Sequence, residues 1–500
     1  MNVFKINKVF LFCLFAYSTI LMAQHRGDDL GFQGLQQENY SGVKAVALGG
    51  AYTSQSSDLN SLFWNPAGLM GLQELELDIS YNTSDAQWRE NQRYRPNRYF
   101  VTLPFYLEGW YVPDAANNGI WDHELAADTN YVVNPTGGGN DPYSKAEADW
   151  IKKQNNSGIG HIAVAYPITL LDRQFVFAGS YSHNNSVQNF DRNDTYLTPM
   201  IGYSGYDGFV DRVDGSDTLN VDWYNYSSSR FGESTTLSAA VAYQVTEALN
   251  IGLSINVMNG QTDDILVLNK IGTFGLFDNN EFFFSYDTLD TQIKGTSDFS
   301  STEINLGFIY KLENLDVGVN VQLPYTLERQ WKYSKTVTDT GGTIQSTLSG
   351  TDELEFPAIF NFGVNIRPTE KLMVLFDYTY AQYKKAKFNY ASADSLRPNW
   401  ANQNILRFGL QYKPINDIAL MAGYRSTPQV FIPDGSAEKD KGPISTSYSF
   451  GISYQVIEAV RIDAAYELKE LRYYDQYFSN TNYNTQTLNQ LHFGINYKFN

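Results

Sequence analysis

The sequence contains almost no cysteine, since Cys13 is the only one in 500 residues and it lies inside an apolar run near the N-terminus. The rest of the chain therefore has no disulfide, no thiolate nucleophile and no cysteine metal site. Histidine is also rare, and its five residues form no recognisable nucleophile or metal-ligand pattern. These absences disfavour an outer-membrane lipase or protease, and the sequence predicts no catalytic residue, no metal and no cofactor.

Long apolar runs are missing as well. Past Ala23 no stretch reaches the roughly eighteen apolar residues that a transmembrane helix needs, so a membrane could be crossed only by strands. Positive charge is in deficit, with 36 Lys and Arg against 54 Asp and Glu and a formal net charge of -18. Because phosphates would be repelled by this charge, nucleic acid is not expected as a partner.

The first residues follow the order of a cleavable secretory signal. Lys5 and Lys8 form a short basic stretch, an apolar run extends from Val9 to Met22, and Ala23 precedes Gln24. We expect a signal peptide over residues 1–23, although a membrane-anchoring helix has a similar pattern.

Apolar and polar residues alternate along many segments, which places one residue class on each face of a β-strand. The polar rows consist mainly of Gly, Ser, Asn and Gln, whereas solvent-facing strands of soluble proteins favour Lys, Glu, Arg and Thr. Small polar residues suit a crowded, hydrated lumen, so the pattern favours a membrane barrel with its apolar rows facing lipid. In one such segment the apolar row is Tyr448, Phe450, Ile452, Tyr454 and Val456, and the polar row is Ser447, Ser449, Gly451, Ser453 and Gln455.

A tyrosine repeatedly stands just before a short connection. Tyrosine suits a membrane boundary, where its ring contacts acyl chains and its hydroxyl meets water. We interpret these residues as a periplasmic aromatic girdle, with ordinary strand-end tyrosines as the alternative. They are Tyr166, Tyr243, Tyr310, Tyr412, Tyr454 and Tyr497.

Short and long connections alternate, as they do in outer-membrane barrels, where short turns are periplasmic and long loops are external. Strand parity then assigns the strand-like stretch Tyr99–Leu107 to the first external loop. The prediction is an all-β fold, a closed transmembrane antiparallel β-barrel of about fourteen strands. The expected short connections lie near Leu170–Arg173, Thr246–Leu249, Glu313–Asn314, Pro368–Glu370, Pro414–Asn416 and Ile457–Ala459.

The segment before the first strand lacks alternation and is rich in small residues. Asn65 followed by Pro66 is typical of a helix start, with an N-cap and then a proline at the first helical position. At this block the sequence resembles the FadL family of outer-membrane transporters for long-chain fatty acids and hydrophobic compounds. The resemblance rests on Ser41-Gly42 and on the residues of the family's N-terminal hatch motif: Gly49, Gly50, Ala51, Tyr52, Asp58, Asn65, Pro66 and Ala67.

After the expected signal peptide at 1–23, that resemblance implies an N-terminal hatch (plug) inside the lumen at 24–72, followed by the barrel at 73–500. It also implies passive uptake of a hydrophobic small molecule at the outer membrane of a Gram-negative cell, with lateral exit into the surrounding lipid. In the third strand Gly179 leaves a notch in a bulky lipid-facing row, so the opening is expected between Gly179 and Asn184, with a packing glycine as the alternative.

The family's capture groove would involve the third external loop, here expected over Gln261–Ser300. So much apolar surface in a water-facing loop calls for a purpose, which is either a ligand groove or a hairpin that extends the barrel. The candidate groove residues are Leu266, Leu268, Ile271, Phe274, Leu276, Phe277 and Phe283.

Two other functions compete with uptake. A barrel of the same family could serve a secretion or surface-assembly machine, with the tryptophan-containing loops Asp85–Ser157 and Ser186–Glu233 as surfaces for an envelope protein partner. The sequence leaves open whether the chain has such a partner or acts as a monomer. A non-selective porin is disfavoured because the hatch would block a water-filled pore.

Overall fold

The computed structural model describes residues 41–56, 58–92, 141–170, 173–201, 218–277, 282–286, 289–391, 400–433, 440–477 and 480–499. Strands dominate these residues, and within them no helix has both the length and the apolar character needed to cross a membrane. The expected signal peptide, the expected first part of the hatch and the stretch Tyr99–Leu107 lie outside the described residues.

The helices are short, and the first three elements precede the strands. They are α1 (Val43–Ala47), α2 (Ser61–Trp64) and a 3-10 turn (Pro66–Gly71), with further 3-10 turns at Lys145–Glu147 and Tyr383–Lys385. The first nine strands are β1 (Leu75–Gln92), β2 (Trp150–Leu170), β3 (Arg173–Ile201), β4 (Thr218–Gln244), β5 (Leu249–Phe277), β6 (Phe282–Tyr286), β7 (Asp290–Lys311), β8 (Leu315–Gln322) and β9 (Tyr325–Asp339). The other nine are β10 (Gly342–Phe356), β11 (Ile359–Thr369), β12 (Leu372–Ala381), β13 (Lys387–Asn389), β14 (Gln403–Ile415), β15 (Ile418–Pro428), β16 (Ile444–Ile457), β17 (Val460–Tyr477) and β18 (Asn480–Phe499).

The sheet closes on itself. The first strand pairs with the last in an antiparallel register that runs from Leu75 opposite Phe499 to Gln92 opposite Asn482. Closure leaves no sheet edge exposed to hydrocarbon, where unpaired backbone groups would be costly. The result is a 14-strand antiparallel barrel, as predicted. Its wall consists of β1–β5, β7, β8, β11, β12 and β14–β18, and the shorter strands β6, β9, β10 and β13 are added to this wall.

The two faces of the wall differ as the alternation predicts. On β16 the side chain of Phe450 is 60% exposed, whereas its neighbour Ser449 is 0% exposed. The tyrosines that precede short turns also point outward, and Tyr166, Tyr310 and Tyr454 are all exposed. Exposed apolar rows and buried small polar rows are the arrangement of a barrel surrounded by lipid.

Each expected short connection joins two consecutive strands, so the predicted positions of the short turns are confirmed. The segment Gln261–Ser300, however, is not an irregular loop in its described part. Strand β5 continues to Phe277. It pairs with β7 as far as Asn269 opposite Asp290, and beyond that point it pairs with β6, from Gly272 opposite Tyr286 to Leu276 opposite Phe282. Of the two alternatives for this segment, the barrel-extending hairpin is the one that the backbone adopts.

The segments Asp85–Ser157 and Ser186–Glu233 are likewise partly strand, because β1 continues to Gln92, β2 begins at Trp150, β3 continues to Ile201 and β4 begins at Thr218. Trp150 is 8% exposed and packs with Trp88 and Phe190 in an apolar cluster. It is therefore not available as a partner surface. Trp110 and Trp121 lie outside the described residues.

Candidate functional site

The first part of the N-terminal segment, α1, ends on two glycines. Gly49 and Gly50 have φ angles of 68° and 79°, the left-handed region that favours glycine. The amide of Gly49 donates to the carbonyl of Val46, and the amide of Gly50 donates to that of Ala45 at 2.8 Å. This pair of bonds is a Schellman motif, which satisfies the last carbonyls of the helix. Two of the motif glycines therefore terminate a helix inside the barrel.

Asp58 lies at the centre of a buried polar cluster. Its carboxylate pairs with the Nζ of Lys44 at 2.5 Å and accepts from the hydroxyl of Tyr52 at 2.7 Å. Arg461 of β17 lies 3.7 Å away. Burial alone would raise the pKa of Asp58, but Lys44 and Arg461 hold it below its ordinary value. The cluster thus joins the N-terminal segment to the barrel wall through charges that are shielded from water.

Asn65 links the N-terminal segment to the opposite side of the wall. Its Oδ1 accepts from the amide of Ala67 and caps the 3-10 turn that begins at Pro66, as the sequence predicts for a helix start. Its Nδ2 donates to the carbonyl of Thr53 at 2.6 Å and lies 3.2 Å from that of Phe308 on β7. One amide side chain therefore orders two parts of the segment and attaches them to a strand.

Inward-facing glycines in the wall make room for this backbone. A Cβ at Gly307 would lie 2.1 Å from the Oδ1 of Asn65, and one at Gly423 would lie 2.0 Å from the amide nitrogen of Gly49. A Cβ at Gly252 would lie 2.4 Å from the Ala67 amide nitrogen. Residues 41–72 consequently contact the inner faces of strands on opposite sides of the barrel, including β4, β5, β7 and β15–β18.

Above this segment the lumen contains a cavity of about 350 Å³. Phe63 and Trp64 from the N-terminal segment line it, and Arg407 lies beneath Trp64 with its guanidinium 5.5 Å from the ring centre. Its size is within the range of small-molecule sites. The cavity is therefore bounded on one side by the segment that carries the hatch motif.

An aromatic cluster forms another side of the cavity. Tyr325 stacks on Phe356 with ring centres 4.8 Å apart, and Tyr383 meets Phe356 edge to face at 5.6 Å. Leu327 and Phe299 belong to the same cluster and also line the cavity. The sequence analysis did not select these residues, because they are scattered over the β7 and β9–β12 region and no local motif joins them. The only signal was the high aromatic content of the whole chain.

The wall is interrupted beside the cavity. Among the described residues, pairing between β2 and β3 ends at His161 opposite Ser182, although both strands continue upward. The register of β3 against β4 shifts between Asn184 and Val187, and that of β2 against β1 shifts at the same level. Such bulges bend strands and increase their twist. Ser182, Asn184 and Val187 line the cavity, so the cavity extends to the interruption.

The two ends of the expected opening differ. Gly179 is paired on both sides, with Val164 of β2 and Ala239 of β4, and a Cβ there would meet only the carbonyl of Ser238 at 3.6 Å. Asn184 lies beyond the last β2–β3 pair and lines the cavity. The structure thus places the interruption above Gly179.

The candidate groove residues lie in the extended part of β5 and in β6. Leu266 is 7% exposed and packs with Tyr226 and Tyr333, and Leu268 contacts the same cluster. Ile271 is half-buried. For the rest the structure gives backbone pairing only, with Phe274, Leu276 and Phe277 on β5 and Phe283 on β6.

Within the described ranges no group of three or more His, Cys, Asp or Glu side chains is arranged to hold a metal ion. His161 instead contacts Asp78 at 2.7 Å and Ser80 at 2.7 Å, both on β1. His183 pairs with Glu233 at 3.1 Å beside the wall interruption. These contacts are those of structural polar pairs.

The sequence matches the model of a family described as outer membrane protein transport protein (OMPP1/FadL/TodX) over residues 225–496. No curated protein gives a significant match to the chain.

Several solved structures share the fold. A FadL homologue from Pseudomonas aeruginosa is 14% identical with a TM-score of 0.57, over 92% of this chain and 98% of that one. The toluene transporter TodX of P. putida is 14% identical with a TM-score of 0.56, over 93% and 99%. The CymD monoaromatic hydrocarbon channel is 13% identical with a TM-score of 0.52, over 92% and 97%. At these identities the similarity establishes the fold.

Proposed function

Because the chain belongs to the outer membrane protein transport family of OMPP1, FadL and TodX, we propose that it takes up hydrophobic small molecules across the outer membrane. Transport is passive, since the ligand diffuses through the barrel without a reaction. The observation that carries the proposal is the lumen cavity, which lies between the N-terminal segment and the aromatic cluster and extends to the interruption between β2 and β3. Long-chain fatty acids and aromatic hydrocarbons are the ligand classes that fit this family.

The aromatic cluster supports an apolar ligand. Tyr325, Phe356 and Tyr383 present ring faces and edges to the cavity, and burying such surface against a hydrocarbon yields about 25 cal/mol per Å². Residues 41–72 fill the lumen below, so they act as the hatch that prevents free passage of water-soluble solutes. A ligand in the cavity therefore leaves sideways through the interruption beside Asn184.

Capture precedes this step. Leu266 is buried against Tyr226 and Tyr333, so it holds the β5 extension together and does not meet a ligand. Of the described groove candidates, the half-buried Leu268 and Ile271 leave apolar surface on which a hydrophobic molecule can leave water before it reaches the cavity. The secretion-partner alternative has less support, because Trp88 and Trp150 pack inside the extension and offer no surface to an envelope protein.

The proposal is tested by uptake of a labelled hydrophobic compound into cells that carry the protein. Thr236 lines the cavity, and its neighbour Thr235 lies on the opposite face of β4. Thr236→Trp fills part of the cavity and is expected to lower the uptake rate at least tenfold. Thr235→Trp adds the same volume outside the lumen and should leave uptake unchanged.

Both variants are checked for folding by their heat-dependent electrophoretic mobility. Equal uptake by wild type and a folded Thr236→Trp variant would show that ligand does not pass through the cavity.

A further inference from the structure

One wall of the cavity carries a buried hydrogen-bond acceptor. Asn320 of β8 lines the cavity and is 6% exposed, and its Oδ1 has no hydrogen-bond partner among the residues that the structure describes. An amide oxygen buried without a partner costs free energy, and a ligand that donates to it recovers that cost. The atom therefore favours a ligand with a hydrogen-bond donor.

A second acceptor lies on the neighbouring strand. Glu303 of β7 lines the cavity, and its Oε2 accepts from the Nε2 of Gln322 at 2.9 Å. A carboxylate has room for further donors at its two oxygens. No hydrogen bond or salt bridge joins Glu303 to a Lys or Arg of the described residues, so an oxygen position of the carboxyl stays open to a ligand donor. A hydroxyl of the ligand can donate to it whether the carboxyl is ionised or protonated, whereas a carboxylate ligand brings no donor.

Arg407, a cation that lines the cavity, already has partners in the protein. The Nη1 of Arg407 donates to the hydroxyl of Thr379 at 2.6 Å, and the guanidinium stacks on Trp64. The guanidinium is thus held by the protein, whereas the Oδ1 of Asn320 has no partner among the described residues.

Resting on the proposed function, we propose that the cavity selects hydrophobic compounds that carry a hydroxyl group, phenols or alcohols, over the corresponding hydrocarbons and carboxylates. The hydroxyl donates its one hydrogen to the Oδ1 of Asn320 or to the carboxyl of Glu303, and the apolar body of the ligand packs on Tyr325 and Phe356. A hydrocarbon of the same shape leaves the Oδ1 of Asn320 without a donor.

Three probes that share one ring system test this: naphthalene, 2-naphthol and 2-naphthoate. Equilibrium dialysis against the purified full-length protein in detergent, with protein-free micelles subtracted, gives their dissociation constants. A donor that satisfies one buried acceptor improves the affinity roughly five- to a hundredfold. We therefore expect 2-naphthol to bind about tenfold more tightly than naphthalene, and 2-naphthoate to bind no more tightly than naphthalene.

Two variants assign the effect to the acceptors. In Asn320→Leu and in Glu303→Leu the ratio of the 2-naphthol and naphthalene affinities should fall towards one. Asn259→Leu is the matched control, because Asn259 is exposed on the outer face of β5, and it should keep the wild-type ratio.

The outcomes separate this inference from the proposed function. Equal binding of naphthalene and 2-naphthol by wild type would overturn the hydroxyl selectivity and leave hydrophobic uptake standing. Tighter binding of 2-naphthoate would also overturn it, and would assign the cavity to carboxylates. Failure of all three probes to bind would contradict both.

Discussion

The lower and middle parts of the lumen are built differently, although the same strands form both. On β7, Gly307 lies against Asn65 of the N-terminal segment, while Asn305 and Glu303 further along the strand line the cavity. On β5, Gly252 lies against Ala67 and Met258 lines the cavity.

The lipid-facing rows of these strands are apolar at both levels, so the outer face does not distinguish the two regions. The difference lies in the inward side chains. Glycine admits the backbone of the N-terminal segment, and larger side chains such as Met258, Glu303 and Asn305 leave no room for it. The inner face of the wall therefore determines where the lumen is filled and where it stays open for a ligand.

The largest expected effect is in the lower lumen. Asp58→Ala leaves Lys44 and Arg461 buried without their shared carboxylate, and breaking a buried pair in this way costs about 3–5 kcal/mol. The free energy of unfolding, measured with denaturant in a lipid or detergent system, should fall by this amount. Asp263→Ala on the exposed outer face of β5 should change it by less than about 0.5 kcal/mol. Similar costs for the two variants would remove the claim that the lower lumen is tightly packed.

The stability that Asp58 contributes depends on pH, and the sign of this dependence follows from its pKa. The pKa of Asp58 in the folded protein lies below its ordinary value of 3.8. Its contribution to stability is therefore complete above that value and is lost as the pH falls towards the folded pKa. The stability difference between wild type and Asp58→Ala should thus be constant near neutral pH and shrink only in strong acid.

A smaller effect is expected from one added methyl group. In Gly423→Ala the new Cβ would lie 2.0 Å from the amide nitrogen of Gly49, so the N-terminal segment must shift. Overpacking of this kind costs about 1–3 kcal/mol. Gly179→Ala adds the same group where the nearest atom is 3.6 Å away, and it should be neutral. Both predictions are checked by measuring the free energy of unfolding. If Gly423→Ala left it unchanged, the lower lumen would have room for the added methyl group.

The regular part of this molecule could be predicted from the sequence. Period-two alternation and turn length are local properties, and they gave the positions of the short turns, the fourteen-strand count and the facing of residues such as Ser449 and Phe450. The Asn65-Pro66 helix start was predictable for the same reason, because a cap depends on adjacent residues.

The cavity could not be predicted in this way. Tyr325 and Phe356 lie opposite each other in the β9–β10 pair, and Tyr383 reaches them from the 3-10 turn after β12, so their contacts join distant parts of the sequence. The extent of β5 was also underestimated. Its apolar residues beyond Gln261 have the composition of a groove, but backbone pairing with β4 and β7 makes them part of a hairpin.

The smallest effect on stability, and the sharpest test of the open middle region, comes from the wall interruption. A Cβ at Gly158 of β2 would lie 3.2 Å from the Nδ2 of Asn185 and 3.8 Å from the Nδ1 of His183, both on flexible side chains of β3. Gly158→Leu therefore fills the interruption with little strain, and the unfolding free energy should change by less than about 0.5 kcal/mol. Uptake of a labelled hydrophobic compound should nevertheless fall strongly, because the lateral exit is closed.

The matched control is Gly179→Leu, which places the same side chain in the lipid-facing row beside Phe177 and Tyr181. Uptake should remain at the wild-type level in this variant, since Gly179 lies below the interruption and is paired on both sides. If Gly179→Leu blocked uptake and Gly158→Leu did not, the exit would lie at the glycine notch and the middle lumen would open through a continuous part of the wall. If neither variant changed uptake, the ligand would leave the cavity by another route, and the N-terminal segment would have to move to provide one.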